Sequence, residues 1–478
     1  MGKMRLLSTI LVITMLFMAL FSCQSEKEKI PTHITVTVQA EGEDLPDLEL
    51  HLFDKIAKAS PDEENFAKLN AEAHDPGYYT IRSGRNSMRV FLVPGDSLHL
   101  ELDWAEPSTT IQFSGDRTVE NQFLIDKLLV EQQVGWSNFV ELYSGDTDAF
   151  YYKMNTGLLA LDSLIRVLEK ADPVHEDFIF FEKRYPEYRI THMGANYANW
   201  HSRLTGTDIE DLDFPLEEAR ANLMALENTS SYLLTLPVYL DVLKAQKNII
   251  WEDLIEEIDV ESMSFKEALE LEFSLMRDYF QEPEVLEYLE FYYLKDLVMF
   301  RGPGDIDEIL DEFLANAQEE DYVAILNSEM QKWEEVLPGK EVPDFEFETP
   351  EGQLVRLSDL EGKLVYIDAW ATWCGPCLRE HPYWDELVDE YADQDIHFLA
   401  ISIDNTRDPW LKMLEEKDMK GIHWFAENAW EADFMQHFNI RGIPRFILLD
   451  AERKVIRPSA DRPSGKIRDL LDAKLSTS

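Results

Sequence analysis

"IDAWATWCGPCLREHP", residues 367–382, holds two of the three cysteines in a chain of 478 residues. They are Cys374 and Cys377, separated by Gly375 and Pro376 and preceded by Trp373. Upstream, "KLVYIDAW" (363–370) is a continuous apolar run and reads as a fully buried strand. Downstream, "LREHPYWDELVDEYA" (378–392) has helical spacing. A Cys-x-x-Cys between a buried strand and a helix start reads as a redox pair. Zinc needs four ligands, and no second cysteine pair exists to supply them, so no metal site is expected. A purely structural disulfide across two residues closes too small a loop to stabilise much.

Working outward, "LPGKEVPDFEF" (337–347) is a Pro/Gly-bearing boundary that opens the last domain. After the cysteine helix come the buried strand "IHFLAISID", the helix "DPWLKMLEEKD", the turn and strand "IRGIPRFILLD", and a closing helix "KIRDLLDAKL". Alternating strands and helices of this kind predict an α/β layer structure over 337–478. With "PDFEF…GQLVRLSDLEGKLVYIDAWATWCGPC" and the later Ile443-Pro444, the segment resembles the thioredoxin superfamily, in its TlpA/ResA-type branch.

The resemblance implies thiol–disulfide exchange. Cys374 is the attacking thiol, placed at a helix N-terminus where unpaired N–H groups and the dipole favour a thiolate. Lowering its pKa from about 8.5 toward about 7 raises the thiolate fraction near neutrality roughly tenfold. Cys377, one turn later, resolves the mixed disulfide. Pro376 suits the first helical turn, where a missing N–H costs little. Asp368, six residues before Cys374, matches the buried Asp that handles the proton of the second cysteine. An unpaired carboxylate inside that strand would be costly, so its pKa is expected to rise. Glu380, followed by Pro382, matches the Glu of the TlpA/ResA pattern, and carrying both acids leaves the proton acceptor open between them. His381 reads as a packing neighbour. Ile443-Pro444 matches the superfamily's cis-proline loop, which with Trp373 is expected to contact extended substrate. Arg445 stands where the family usually has Thr, and its orientation is open between substrate, thiolate and solvent.

The rest of the chain bounds the setting. Its length predicts two or three domains, and 45% hydrophobic residues with 12% aromatics are globular. A formal net charge of −49, most of it before residue 337, excludes nucleic acid as a partner because nothing would neutralise phosphates. Lys3 and Arg5 precede an apolar stretch from Leu6 to Phe21 that is short for a membrane span. The ending Leu20-Phe21-Ser22-Cys23 resembles a bacterial lipoprotein signal, which implies cleavage before Cys23, its lipidation, and anchorage to a membrane of the cell envelope. A plain secretory signal or a single membrane anchor is the alternative. Residues 1–22 are thus read as signal peptide and 23–31 as tether.

Residues 32–115 carry short alternating runs such as "HITVTVQ", "LELHLFD" and "SLHLELDW" between turn signals, and predict an antiparallel, sandwich-like β-domain. Through "VFLVPGDSLHLELD" it resembles the β-domain that precedes thioredoxin-like domains in envelope lipoproteins. Residues 116–336 have helical spacing, and breakers at Gly206, Pro215, Pro237, Pro283 and Gly302–Gly304 divide them into seven or eight helices. Acidic "TDIEDLDF" (207–214) lacks the glycine and final glutamate of an EF-hand loop.

The fold expected is therefore multidomain: all-β, then all-α, then an α/β thioredoxin fold. The function expected is a cell-envelope disulfide reductase without cofactor, whose partners are envelope protein disulfides or dithiols and an unidentified reductant. Two rivals stand beside it. A peroxiredoxin-like peroxidase needs Pro-x-x-x-Thr/Ser-x-x-Cys, where Cys374 has Ile367 and Ala371 instead. A binding lipoprotein would capture a partner through its β and helical domains, with redox only regulatory.

Overall fold

Alternation puts one side of Thr32–Glu41 (β1) into a core, with Ile34, Val36 and Val38 fully buried. The computed structural model describes residues 32–476 apart from 42–44, 53–54, 85, 256–257, 261–262 and 361. The signal segment, Cys23 and the rest of the tether lie outside the described residues. Two units are resolved by their internal contacts, 1–249 and 250–478, and each is described by itself.

In the first unit seven strands follow β1: β2 (Leu48–His51), β3 (Lys55–Ala59), β4 (Phe66–Ala73), β5 (Gly77–Ser83), β6 (Asn86–Leu92), β7 (Ser97–Asp103) and β8 (Gln112–Gly115). They form two four-stranded sheets, ordered β4-β1-β7-β8 and β3-β2-β5-β6. Leu48, Leu50, Leu69, Ile81, Val90, Leu98 and Leu100 join the β1 side chains in one core. The expectation of a purely antiparallel domain needs one correction. β1 and β7 pair in parallel, Val36 opposite Leu98. Some sixty residues separate them, enough for the crossover that a parallel pair requires.

Helices complete this unit: α1 (Thr118–Gln133), α2 (Phe139–Ser144), α3 (Thr147–Leu168), α4 (Glu176–Thr205), α5 (Leu216–Met224) and α6 (Pro237–Ile255), the last running past the unit boundary. Asn121 on α1 clasps the β6 backbone, accepting from Phe91 N at 2.8 Å and donating to Phe91 O at 3.0 Å. Glu182 on α4 accepts from Tyr78 at 2.7 Å and from Lys127 at 2.7 Å on both oxygens, a buried charge pair whose removal from water is offset by three hydrogen bonds.

The second unit begins with the C-terminal part of the expected helical stretch: α7 (Phe265–Tyr279), α8 (Pro283–Arg301), α9 (Asp307–Asn316) and α10 (Glu320–Gln331). Ten helices thus lie between 116 and 336 among the described residues, against seven or eight expected. The surplus arises because Gly135, Gly145 and the turn before His175 also interrupt the chain, and because Asn138, Asp146 and His175 supply N-caps that restart it. Nor is 116–336 one body: its last helices group with the redox sheet.

That sheet has seven strands, β9 (Glu346–Glu348), β10 (Leu354–Arg356), β11 (Leu364–Trp370), β12 (Ile396–Ser402), β13 (Ile422–Phe425), β14 (Arg445–Leu449) and β15 (Val455–Arg457), in the order β10-β9-β13-β12-β11-β14-β15. β11 runs parallel to β12 and antiparallel to β14. Every residue of β11 and β14 is buried, which is why "KLVYIDAW" and "RFILL" show no polar alternation. The cysteine helix α11 (Gly375–Glu390) follows β11, α12 (Arg407–Lys417) follows β12, then come α13 (Asp433–His437) and the closing α14 (Ile467–Leu475).

Candidate active site

The turn Ala371-Thr372-Trp373 carries the chain from the central strand into α11, and a buried carboxylate fixes it. Asp404, just beyond β12, accepts from Thr372 N at 3.1 Å, from Thr372 Oγ1 at 2.7 Å and from Ser402 Oγ at 2.8 Å. Cys374 then stands at the N-cap of α11, where its Sγ accepts the Cys377 N–H at 3.1 Å. The two sulfurs are joined as a disulfide. Cys377 is fully buried and Cys374 exposes 3% of its surface, whereas Trp373 exposes 56% beside Trp430, ring centroids 6.3 Å apart. Across the site the Ile443–Pro444 peptide bond is cis, and the Ile443 carbonyl oxygen lies 3.7 Å from Cys374 Sγ. Cys374, Cys377, Ile443 and Pro444 are therefore brought together, with Trp373 at the rim.

The two acids sit in unlike surroundings. Asp368 lies on β11, 1% exposed, with Oδ1 lacking a hydrogen-bond partner among the described residues. Burial, with the Glu380 charge adding to it, pushes its carboxyl well above the ordinary 3.8. Glu380 is 6% exposed and turned inward rather than lying on the helix surface. It accepts from Ser464 N at 3.1 Å and Ser464 Oγ at 3.0 Å, and Arg462 stands 3.7 Å away. His381 packs edge-on to Trp370, centroids 4.7 Å apart, and burial together with His423 lowers it to about 4. It is neutral at pH 7.

Arg445 resolves its open orientation by turning away from solvent. It is 4% exposed, with its guanidinium carbon 5.5 Å from the centroid of Trp333, just beyond α10. Burial, with Arg301 adding to it, lowers its pKa to about 10. Three contributors were not singled out from sequence: Asp404, Ser464 and Trp333. Only Asp404 left a signal, an acid ending an otherwise apolar strand.

A cysteine pair that caps a helix behind the central strand of such a sheet defines a thioredoxin-like thiol–disulfide oxidoreductase domain. Comparison with known proteins agrees. Residues 337–470 match the Redoxin family. The thiol-disulfide oxidoreductase ResA of Bacillus thuringiensis subsp. konkukian (strain 97-27) is 29% identical over 126 residues, 26% of this chain and 71% of that protein. ResA of Bacillus subtilis (strain 168) is 26% identical over 126 residues, 26% of this chain and 68% of its own length. A solved thiol-disulfide oxidoreductase structure from Bacteroides vulgatus is 36% identical and covers 30% of this chain and 99% of its own, with a TM-score of 0.28. The C-terminal domain is a redoxin domain of the ResA/TlpA type, and its activity is that of a thiol–disulfide oxidoreductase.

The state of Asp368 gives a stability signature. In the unfolded chain its carboxyl ionises near 3.8, so above that pH the native state holds the extra proton and stability falls as pH rises. Asp368→Asn removes this fall. In urea unfolding of the oxidised proteins, the difference between variant and wild type should grow in the variant's favour as pH rises from about 4. A difference that stays flat with pH would mean that Asp368 ionises in the native state as it does in the unfolded chain.

Proposed function

We propose that this protein is a cell-envelope disulfide reductase, anchored by lipid on Cys23, that exchanges its Cys374–Cys377 pair with disulfides of envelope proteins. The observation that carries the reading is the helix cap: the Cys377 N–H donates to Cys374 Sγ, so negative charge on that sulfur meets a donor and the helix dipole. The Cys374 thiolate attacks one sulfur of a substrate disulfide and the other leaves as a thiolate. Cys377 then loses its proton to whichever of Asp368 and Glu380 is ionised, the two acids sharing this proton, and attacks Cys374 Sγ, releasing the second substrate thiolate. Two electrons pass to the substrate, and the protein is left with the Cys374–Cys377 disulfide. Trp373, Ile443 and Pro444 line the approach and contact the substrate chain. An external reductant restores the dithiol.

The direction of exchange rests on electrostatics. A strongly stabilised thiolate makes the dithiol stable and the disulfide oxidising. Gly375 and Pro376 add no positive charge beside Cys374, and the acids Asp368 and Glu380 sit on the strand before it and on the helix it caps. Arg445, the cation nearest in sequence to Pro444, faces the Trp333 ring. These features favour a couple near the thioredoxin end, about −270 mV, over the oxidant end at about −120 mV.

Three measurements test the reading. Cys374→Ser should abolish insulin reduction, while Cys377→Ser should accumulate mixed disulfides through Cys374; trapping through Cys377 instead would reverse the two roles. Equilibration against glutathione should give a potential well below about −180 mV, and a higher value would make the protein an oxidase or isomerase. Mass spectrometry of the membrane fraction should find the mature chain starting at an acylated Cys23. An unmodified Cys23 within an uncleaved chain would end the lipoprotein assignment.

A further inference from the structure

An open cleft of about 580 Å³ borders the cis-proline loop, and its walls come from two parts of the second unit. Pro444, Arg445, Arg462 and Ser464 belong to the redox domain, while Phe300 and Arg301 end helix α8. Its polar content is unusual for a chain of net charge −49, because three arginines line it against one carboxylate, that of Asp461. Arg445 Nη1 and Arg301 Nε are both buried without a hydrogen-bond acceptor among the described residues.

Carboxylates near these arginines are already divided. Arg462 lies against Glu380. Asp305 pairs with Arg457 at 2.5 Å and reaches Arg301 only at 3.6 Å, while Asp461 stands 3.9 Å from Arg301. The Arg445 side chain has no ion pair or hydrogen bond among the described residues. Trp333 gives it a ring face, and Arg301 opposes it with like charge. A buried guanidinium held that way lacks what its geometry suits, a planar anion taken by two N–H groups.

The cleft also lies where a substrate must pass. Ile443 and Pro444 line it, and the Ile443 carbonyl is 3.7 Å from Cys374 Sγ. A polypeptide whose sulfur reaches Cys374 therefore runs along this loop, and side chains a few residues away enter the cleft.

We propose that Arg445 and Arg301 recognise a carboxylate, so that this protein selects polypeptide substrates bearing an acidic group close to the reacting cysteine. The inference deepens the exchange reading and rests on it for the course of the substrate. Arg445 and Arg301 are specificity-determining residues here, outside the electron transfer itself. The carboxylate comes either from an Asp or Glu side chain or from a chain terminus, and both present the same planar anion.

The test uses the oxidised full chain and short peptides with serine in place of the reacting cysteine, so binding is read whether or not exchange occurs. Three peptides differ only in charge: one with Glu beside the serine and an amidated end, one with Gln and an amidated end, and one with Gln and a free carboxyl end. The Glu or the free-end peptide should bind about tenfold or more tightly than the uncharged one, as expected for a charge-assisted hydrogen bond, and whichever does so identifies the source. Arg445→Met should bring the preference to within about twofold. Arg301→Gln, at a part-exposed side chain, should also reduce it and serves where the first variant does not fold. Equal affinity for all three peptides, or a preference that survives both substitutions, overturns the proposal. Insulin reduction is measured separately: its failure would sink the exchange reading while leaving the binding comparison decisive for the carboxylate.

Discussion

The N–H of Cys377 pointing at the sulfur of Cys374 is the contact around which the redox domain is arranged. A helix must satisfy its first N–H groups, and here the acceptor is the sulfur of Cys374, the proposed nucleophile. The cap and the proposed nucleophile therefore share one position, which restricts where the helix can begin. β11 brings the chain there through a wholly buried strand, and Asp404 holds the intervening turn by three hydrogen bonds. From the opposite side, the loop before β14 brings the Ile443 carbonyl to the same sulfur.

Behind the cysteines, the two acids illustrate how environment divides like groups. Asp368 is buried, with an oxygen that has no hydrogen-bond partner among the described residues, so the proton is its natural company. Glu380 is nearly as deep, but Ser464 and Arg462 answer both of its oxygens. A carboxyl pushed toward its protonated form and a second one held by hydrogen bonds suit the proton transfer proposed for Cys377. Both lie within the reach of one cysteine helix and the strand before it.

The redox domain was the legible part of the sequence, and the reason is local. Buried strands are continuous apolar runs, and Trp373-Cys374-Gly375-Pro376-Cys377 marks the junction between strand and helix, so β11, α11, β12, α12, β14 and α14 stand where the pattern put them. What escaped depends on partners distant in sequence. Glu380 sits three residues after Cys377, but its inward turn is decided by Ser464. Arg445 is oriented by Trp333, more than a hundred residues earlier. β13, only four residues of mixed polarity, is recruited to the sheet by β12 rather than by its own pattern. The parallel pairing of β1 with β7 left no trace either, because each strand alternates as it would beside any neighbour.

The seat of Trp333 also bears on what counts as the redox domain. Gly302 ends α8 with φ of 86°, and a Cβ there would come within 2.8 Å of the Trp333 ring, so the helix end and the indole are fitted to each other. Glu329 reaches Arg441 at 3.3 Å, and Asp305 reaches Arg457. A polypeptide cut at residue 337, the natural place to cut by sequence pattern, would strip Arg441 and Arg457 of their counter-ions and leave Arg445 with a bare guanidinium and no ring beneath it. The compact unit that carries this sheet is larger than its recognisable domain. It starts upstream, among helices whose own sequence carries no mark of redox chemistry.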